Sequence, residues 1–182
     1  MSHGAGHADH GGNKGVALLI SVLALVLAVA EMLGKSAQTA SVHYNVEALN
    51  LWSFFQAKTI RQTTLRTAAE QTAVMTSSEN SKKQIEAWRK TAERYQSEPE
   101  TGEGREQLMA RAKEAEKNRL KAMAAYHHYE VSSAAVQIAI VVASASIVAG
   151  VPALVWLASV LGLVGVAFCV IGFWFPTAVH LF

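Results

Sequence analysis

The sequence predicts an all-α integral membrane protein, with three transmembrane helices and a long extramembrane helical hairpin between the first and the second. Three apolar runs are each long enough to cross a bilayer, since about twenty residues at about 1.5 Å rise span the hydrocarbon core. A polar insert with helical periodicity lies between the first two runs. The chain is 51% hydrophobic and 16% charged, and most of its charges fall within residues 35–130.

The apolar runs set the expected boundaries of the spans. We predict transmembrane helices at residues 15–34, 131–150 and 153–175, with a His/Gly-rich tail at 1–14 and a C-terminal tail at 176–182. The first run also resembles a signal peptide, because Lys14 precedes an apolar core and Ala28-Val29-Ala30 matches an A-x-A cleavage site. That core is at the long end for a signal peptide, which favours an uncleaved span.

The polar insert at 35–130 is expected to form a helical hairpin. Helices are predicted at about residues 36–76, 81–96 and 105–130, with a loop at 97–104. The apolar residues of the first helix recur at helical spacing and predict one stripe: Val42, Val46, Leu49, Trp52, Phe55, Leu65 and Ala69. The outgoing and returning arms are similar in length, so they predict a coiled-coil-like stalk with its tip near residues 76–80.

The positive charges beside the spans predict the orientation. Lys35 and a group of cations near the start of the second span lie on the insert's side of the membrane, whereas only Lys14 lies on the tail's side. The group comprises Lys113, Lys117, Arg119 and Lys121. By the positive-inside rule the insert is expected in the cytoplasm and the N-terminal tail in the periplasm.

Each span carries a stripe of small residues at helical spacing. The main positions are Ala24 and Ala28 in the first span, Ala135, Ala139 and Ala143 in the second, and Gly162, Gly165 and Gly172 in the third. Small residues let helix backbones approach closely in lipid. They predict tight helix packing and favour self-association, but the sequence leaves open whether the contacts lie within one chain or between chains.

Two polar residues within the spans are candidates for an ion or proton site. Glu31 continues the small stripe of the first span and is expected to face the helix bundle. The alternative interpretation of Glu31 is an ion pair with Lys35 at the level of the lipid headgroups. Gln137 is the amide within the second span, and such amides often form interhelical hydrogen bonds.

A dense aromatic and basic patch occurs early in the insert. It comprises Trp52, Phe54, Phe55, Lys58 and Arg61. The patch predicts either a subunit interface or a surface that lies on anionic lipid. The plainer and favoured alternative is core packing by the aromatic rings with cations in solvent.

The N-terminal tail offers a weak metal-binding pattern. His3, His7 and His10 would share one face of a helix, but several neighbouring glycines disfavour that helix. Adventitious metal affinity is the favoured interpretation, and no cofactor is expected. Cys169 is the single cysteine, which excludes an intrachain disulfide.

The stretch Asn50-Leu51-Trp52-Ser53-Phe54-Phe55-Gln56-Ala57-Lys58-Thr59-Ile60-Arg61-Gln62-Thr63 carries a resemblance to a family. It resembles a family of bacterial membrane proteins of unknown function that share an N-terminal span, this NLWSFFQAKTIRQT core and paired C-terminal spans. The resemblance implies a bacterial inner-membrane location and no known activity. It supplies no catalytic residues.

The motifs of common enzyme classes are absent from the sequence, including Gly-rich phosphate loops, G-x-S-x-G and H-E-x-x-H. We therefore expect a non-enzymatic protein, foremost a homo-oligomeric membrane scaffold or accessory protein. The alternatives are an ion or proton channel formed by oligomerised spans and an accessory subunit of a larger membrane complex. The expected partners are the lipid bilayer, a second copy of the chain and a further membrane protein. Nucleic acid is not expected, because the cations are mixed with Glu.

Overall fold

A computed structural model of the chain describes residues 10–178. Within them the chain forms four helices and no strand: α1 (His10–Met75), α2 (Glu79–Gln96), α3 (Arg105–Ala149) and α4 (Pro152–Trp174). The all-α class is therefore confirmed for this part of the chain. Three of the helices, α1, α3 and α4, contain segments long and apolar enough to cross a membrane.

The first apolar run and the first arm of the insert form one continuous helix. α1 contains 66 residues and no proline. Its glycines, Gly11, Gly12, Gly15 and Gly34, cost helix stability but do not force a break. The helix ends at Met75, before a Thr-Ser-Ser segment. Ser78 then caps α2, since its Oγ accepts a hydrogen bond from the Ser81 backbone N–H at 3.2 Å.

The chain divides into two compact units. One comprises Met1–Ser41 with Leu120–Phe182, and the other comprises Val42–Arg119. We call the first the apolar unit and the second the polar unit, and α1 and α3 each contribute to both. The boundary follows the composition of the sequence, because the predicted spans fall in the first unit and most charges fall in the second.

The core of the apolar unit is a contact between helices. Leu23 of α1 packs with Val136 and Ala139 of α3, and all three are buried. Partly buried side chains surround them: Leu19, Val26, Leu27, Ile140 and Leu161. The turn from α3 to α4 uses Gly150 at φ 65°, a conformation that side chains disfavour, followed by Pro152 at the start of α4.

The core of the polar unit joins α1 to α3. Its buried members are Ala48, Leu51, Leu108, Ala112 and Ala115, with Trp52 and Phe55 packed against them. The single stripe expected on α1 is therefore wrong. Val42, Val46 and Leu49 are exposed instead of joining Trp52 and Phe55 in the core. The reason is that α1 has apolar residues on two opposite faces, which the sequence pattern merged into one.

Candidate functional site

The apolar unit presents an open groove between α1 and α3. Its volume is about 490 Å³. It is lined by Ala30, Glu31, Gly34, Lys35, Gln38, Tyr126, Tyr129, Glu130, Ser133, Ala134 and Gln137. Most of these side chains are polar, although the groove borders two of the most apolar segments of the chain. Accessible polar side chains of the predicted spans are therefore found together in this groove.

Glu31 and Gln137 meet in this groove. Gln137 Nε2 donates a hydrogen bond to Glu31 Oε1 at 3.3 Å, and both side chains are exposed. The two ion-site candidates are thus brought together, and Gln137 makes the interhelical bond that an amide in a span favours. Glu31 thus meets a neighbouring helix, as expected of a residue that faces the helix bundle, but its side chain stays exposed at the open side of the groove. The packed face of α1 passes through Leu23, Ala30 and Gly34, and Glu31 lies beside it.

The small residues of α3 and α4 pack within the chain. Ala139 and Ala143 are fully buried, and Gly162, Gly165 and Gly172 are buried as well. A methyl group added at Gly162 would lie 2.5 Å from Leu23 Cδ2, and one added at Gly172 would lie 2.9 Å from His128 Cβ. Ser132 Oγ donates to the Gly165 carbonyl at 2.7 Å, which ties α3 to α4 at their closest approach. Ala135 is half-buried.

The small residues of α1 behave differently. Ala24 and Ala28 are exposed, together with Ser21 one turn before Ala24 and Ala17 two turns before it. On α3 the neighbouring outward face is mixed, because Ile138 and Val141 are exposed beside Gln137 together with the smaller Ala134 and Ser144. In a single chain the row of Ala24, Ala28, Glu31 and Gln137 is exposed between larger apolar side chains, and we call this row the small and polar face.

The outward face of α4 has the opposite character. Its exposed side chains are large and apolar: Trp156, Leu157, Val160, Leu163, Val164, Val170, Phe173 and Trp174. Such a face is typical of contact with lipid chains, and tryptophans near the two ends of a helix are typical of membrane spans. The two sides of the apolar unit are thus suited to different neighbours.

His128 anchors the C-terminal end of α4, a role that the sequence did not reveal. The side chain is 1% exposed, and its Nε2 lies 3.2 Å from the Pro176 carbonyl oxygen. That oxygen can only accept, so Nε2 carries the proton and donates. The ring also stacks on Phe168 of α4 at a centroid distance of 6.1 Å.

In the polar unit, Arg105 is the centre of a hydrogen-bond network. Its Nε donates to Thr59 Oγ1 at 2.8 Å, and its Nη1 donates to the side-chain oxygens of Gln62 at 2.6 Å and Gln96 at 2.8 Å. The guanidinium also lies over the Phe55 ring, 5.0 Å from its centroid. One side chain at the start of α3 thereby joins α1 and the end of α2.

Gln62 extends this network into the core. It is 2% exposed, and its Nε2 donates to the Ala92 carbonyl of α2 at 2.9 Å. Sequence reasoning missed both Arg105 and Gln62. A signal for Gln62 was present, because it lies one and two turns beyond Lys58 and Phe55 on the same helical face. No comparable signal identified Arg105.

The aromatic and basic patch divides between the interior and the surface. Trp52 Nε1 donates to Glu116 Oε1 at 2.8 Å, and Phe55 packs below Arg105. Phe54 and Arg61 are exposed. Lys58 was expected in solvent, and this is wrong: the residue is 5% exposed. The patch therefore makes most of its contacts inside the polar unit.

Lys58 holds the loop between α2 and α3. Its Nζ lies 3.3 Å from Glu98 Oε2 and 3.7 Å from Glu103 Oε2, and 5.1 Å from the centroid of the Tyr95 ring. The loop also contains Gly102 at φ 68°. A buried ammonium needs such partners, because an unpaired charge in the interior is costly. The ion pairs consequently fix the position of the acidic loop against α1.

Replacing Lys58 by methionine should loosen this loop. Methionine keeps the apolar stem and removes the charge, and Glu98 retains Arg94 at 3.7 Å, so we expect a loss of about 1–2 kcal/mol in local stability. Hydrogen exchange of the amides in 97–104 would measure it. The matched control is Lys83→Met, at an exposed position of α2. Equal exchange in both variants would contradict the role of Lys58.

The metal prediction cannot be placed on the structure. His3 and His7 lie outside the described residues, and His10 begins α1 without a described side chain. Within residues 14–178, no group of three or more His, Cys, Asp or Glu side chains is arranged to hold a metal ion.

A family model matches residues 12–175 of the chain, under the description of a domain of unknown function, DUF4337. The chain belongs to the DUF4337 family. The match includes all four helices except the first residues of α1, and it covers the segment from Asn50 to Thr63. Membership in a family of unknown function is therefore confirmed. No curated protein and no solved structure matches the chain.

Proposed function

We propose that this DUF4337 protein is a non-enzymatic, homo-oligomeric scaffold or accessory protein of the bacterial inner membrane. Its apolar unit crosses the membrane three times, and its polar unit is held in the cytoplasm as a helical hairpin that offers a binding surface. The orientation is supported by Lys35 and the cations of residues 113–121, against Lys14 on the other side.

The exposed Glu31–Gln137 pair is the observation that supports an oligomer. The hydrogen bond between them lies on the outer surface of one chain, beside the exposed Ala24 and Ala28. Exposure of a polar or charged side chain to lipid is costly, so such groups in spans face protein or water. A protein neighbour that covers the small and polar face removes this cost, whereas the large apolar side chains of α4 suit lipid.

A pair of matched substitutions tests this proposal. Ala28→Leu adds bulk to the small face of α1, and Ala167→Leu adds the same bulk to the outer face of α4; both positions are exposed in a single chain. We expect the wild-type protein in nanodiscs to have the mass of a closed oligomer. Ala28→Leu should shift it to smaller species, and Ala167→Leu should not.

Two results would contradict the proposal. A monomeric wild-type protein would exclude a homo-oligomer and favour an accessory subunit of a larger complex, in which the same face meets another protein. An equal effect of both substitutions would show that the small face of α1 has no special role.

The second candidate is an ion or proton channel, for which the Glu31–Gln137 pair is again the reason. A carboxylate that accepts a hydrogen bond from an amide inside a membrane could bind a cation or relay a proton. Few other polar residues lie along the spans, which favours the scaffold. Ion flux into liposomes separates the two, because Glu31→Gln should abolish flux through a channel, whereas a scaffold gives background flux in both forms.

A further inference from the structure

We propose that α1 of the polar unit pairs with α1 of a second copy, as a parallel coiled coil along the face opposite the core. This inference rests on the proposed function, because it names the surface through which the copies of the membrane oligomer meet outside the bilayer. We call this face the outer seam.

The outer seam follows the spacing of a coiled coil. Its apolar members are Val42, Val46, Leu49 and Ile60, and its polar members are Ser53, Gln56, Thr63 and Thr67. In chain order these eight positions alternate in steps of four and three residues, which is the heptad repeat of a helix that packs on another helix. All eight side chains are exposed.

The seam is distinct from the face that already has a partner. The inner face of α1 has the same spacing through Ala48, Leu51, Phe55, Lys58 and Gln62, which pack on α2, α3 and their loop. Because about half a turn separates the two sets of positions, the outer seam points away from the unit's own core. α1 therefore has two helix-packing faces, and a single chain supplies the partner for one.

Composition argues that the outer seam is not simply a solvated surface. No residue of the seam is charged, whereas the exposed positions of α2 include Lys82, Lys83, Glu86 and Arg89. Its apolar side chains are largely accessible, with Ile60 at 66%, Val42 at 59% and Leu49 at 59%. A row of exposed aliphatic side chains at heptad spacing is typical of a face that another helix covers.

The residue types select a second copy in parallel orientation. Val46 and Ile60 occupy first positions of the heptads and Leu49 occupies a fourth position, and these residue types at these positions favour two parallel strands. Copies anchored through the same spans also leave the membrane in the same direction. In a parallel pair without stagger, Ser53 meets Ser53 and Gln56 meets Gln56, so polar layers pair with each other. A shift by one heptad would place Ser53 against Val46 or Ile60.

The surface beside the seam also has room for a neighbour's side chains. A shallow groove of about 500 Å³ runs along α1, and its lining includes Ile60, Thr63, Thr64, Thr67 and Gln71. Short side chains around a hollow provide the holes into which the knobs of a facing helix insert.

Cysteine crosslinking of the full-length protein in nanodiscs tests the pairing. In a Cys169→Ser background, Ile60→Cys places a thiol on the seam and Arg61→Cys places one on the neighbouring exposed position. Disulfides require Cα atoms within about 7 Å, so we expect Ile60→Cys to form a covalent dimer about tenfold faster than Arg61→Cys. Equal rates, or crosslinks to a different protein, would overturn the inference.

Measuring the mass of the wild-type protein distinguishes a failure of this inference from a failure of the proposed function. A monomer would contradict both. An oligomer that forms while Ile60→Cys crosslinks no faster than Arg61→Cys would overturn the outer seam alone. A second experiment uses Thr63→Cys as the crosslinking site. Ile60→Glu should weaken this dimer crosslinking, whereas Arg61→Glu should leave it unchanged. Because both positions are exposed, neither substitution should change the helix content of a single chain.

Discussion

Replacing Arg105 by alanine is expected to release α2 from the rest of the polar unit. The substitution removes hydrogen bonds to Thr59, Gln62 and Gln96 and the contact with the Phe55 ring. It also leaves Gln62 Oε1 without its donor at a position that is 2% exposed. Hydrogen bonds to a charged group contribute about 1.5–3 kcal/mol, and an unsatisfied buried acceptor adds a penalty. We expect a total loss of about 3 kcal/mol in local stability.

The position of Arg105 makes this effect specific. It is the first residue of α3, where the positive end of the helix dipole disfavours a cation. The guanidinium is therefore stabilised by the side-chain oxygens and the aromatic face around it, and not by its place in the helix. Lysine carries the same charge but lacks the planar fork that reaches several acceptors at once, so Arg105→Lys should recover less than half of the loss.

Hydrogen exchange measures this release. The amides of α2 between Ile85 and Gln96 should lose protection in Arg105→Ala, while those of α4 should not change. The matched control is Arg111→Ala, a substitution at an exposed position of the same helix. Loss of protection in the control, or unchanged protection in Arg105→Ala, would show that the network does not hold α2.

The sequence predicted the helical class because apolar runs and periodicity depend on residues close together in the chain. The three apolar segments are local signals of this kind, and so is the spacing of Ile85, Trp88, Ala92 and Tyr95 along α2, which predicts one apolar face. Ile85 and Ala92 are buried in the structure, and Trp88 and Tyr95 are half-buried. Pairing between distant segments has no local signal, so the contacts of Arg105 could not be predicted from the residues around it.

The two faces of α1 explain the main error in the sequence analysis. Leu49 lies two residues from Leu51 and three from Trp52, so a stripe drawn along the helix can pass from one set of positions to the other. Only the fold shows which set meets Leu108 and Ala112 of α3. A helix with two apolar faces needs two partners, and sequence periodicity alone does not say which partner belongs to which face.

The small residues of the spans illustrate the same limit. The sequence identified three stripes without assigning them to contacts. The structure packs those of α3 and α4 inside the chain and leaves Ala24 and Ala28 of α1 exposed. Close approach was predictable from residue size, but the direction of each stripe depends on how the helices are arranged.

Gly165→Ala is expected to destabilise the apolar unit far more than Gly162→Ala. A methyl group at Gly165 would overlap Val136 Cγ2 and lie 3.1 Å from the Ser132 carbonyl oxygen. Val136 is fully buried and β-branched, so its side chain has little freedom to turn away. A methyl group at Gly162 would meet Leu23 Cδ2, the end of a flexible side chain, at 2.5 Å. Leu23 is also buried, but it is not β-branched, so its terminal methyl group can move at a smaller cost than that of Val136.

The intrinsic preference for alanine in helices sharpens the comparison. Both substitutions gain about 1 kcal/mol of helix propensity, so Gly162→Ala should be nearly neutral. At Gly165 overpacking costs about 1–3 kcal/mol, and separating α3 from α4 also lengthens the hydrogen bond from Ser132 Oγ to the Gly165 carbonyl. Thermal unfolding in detergent should show a lower Tm for Gly165→Ala alone. Equal midpoints for the two variants would mean that α3 and α4 do not approach most closely at Gly165.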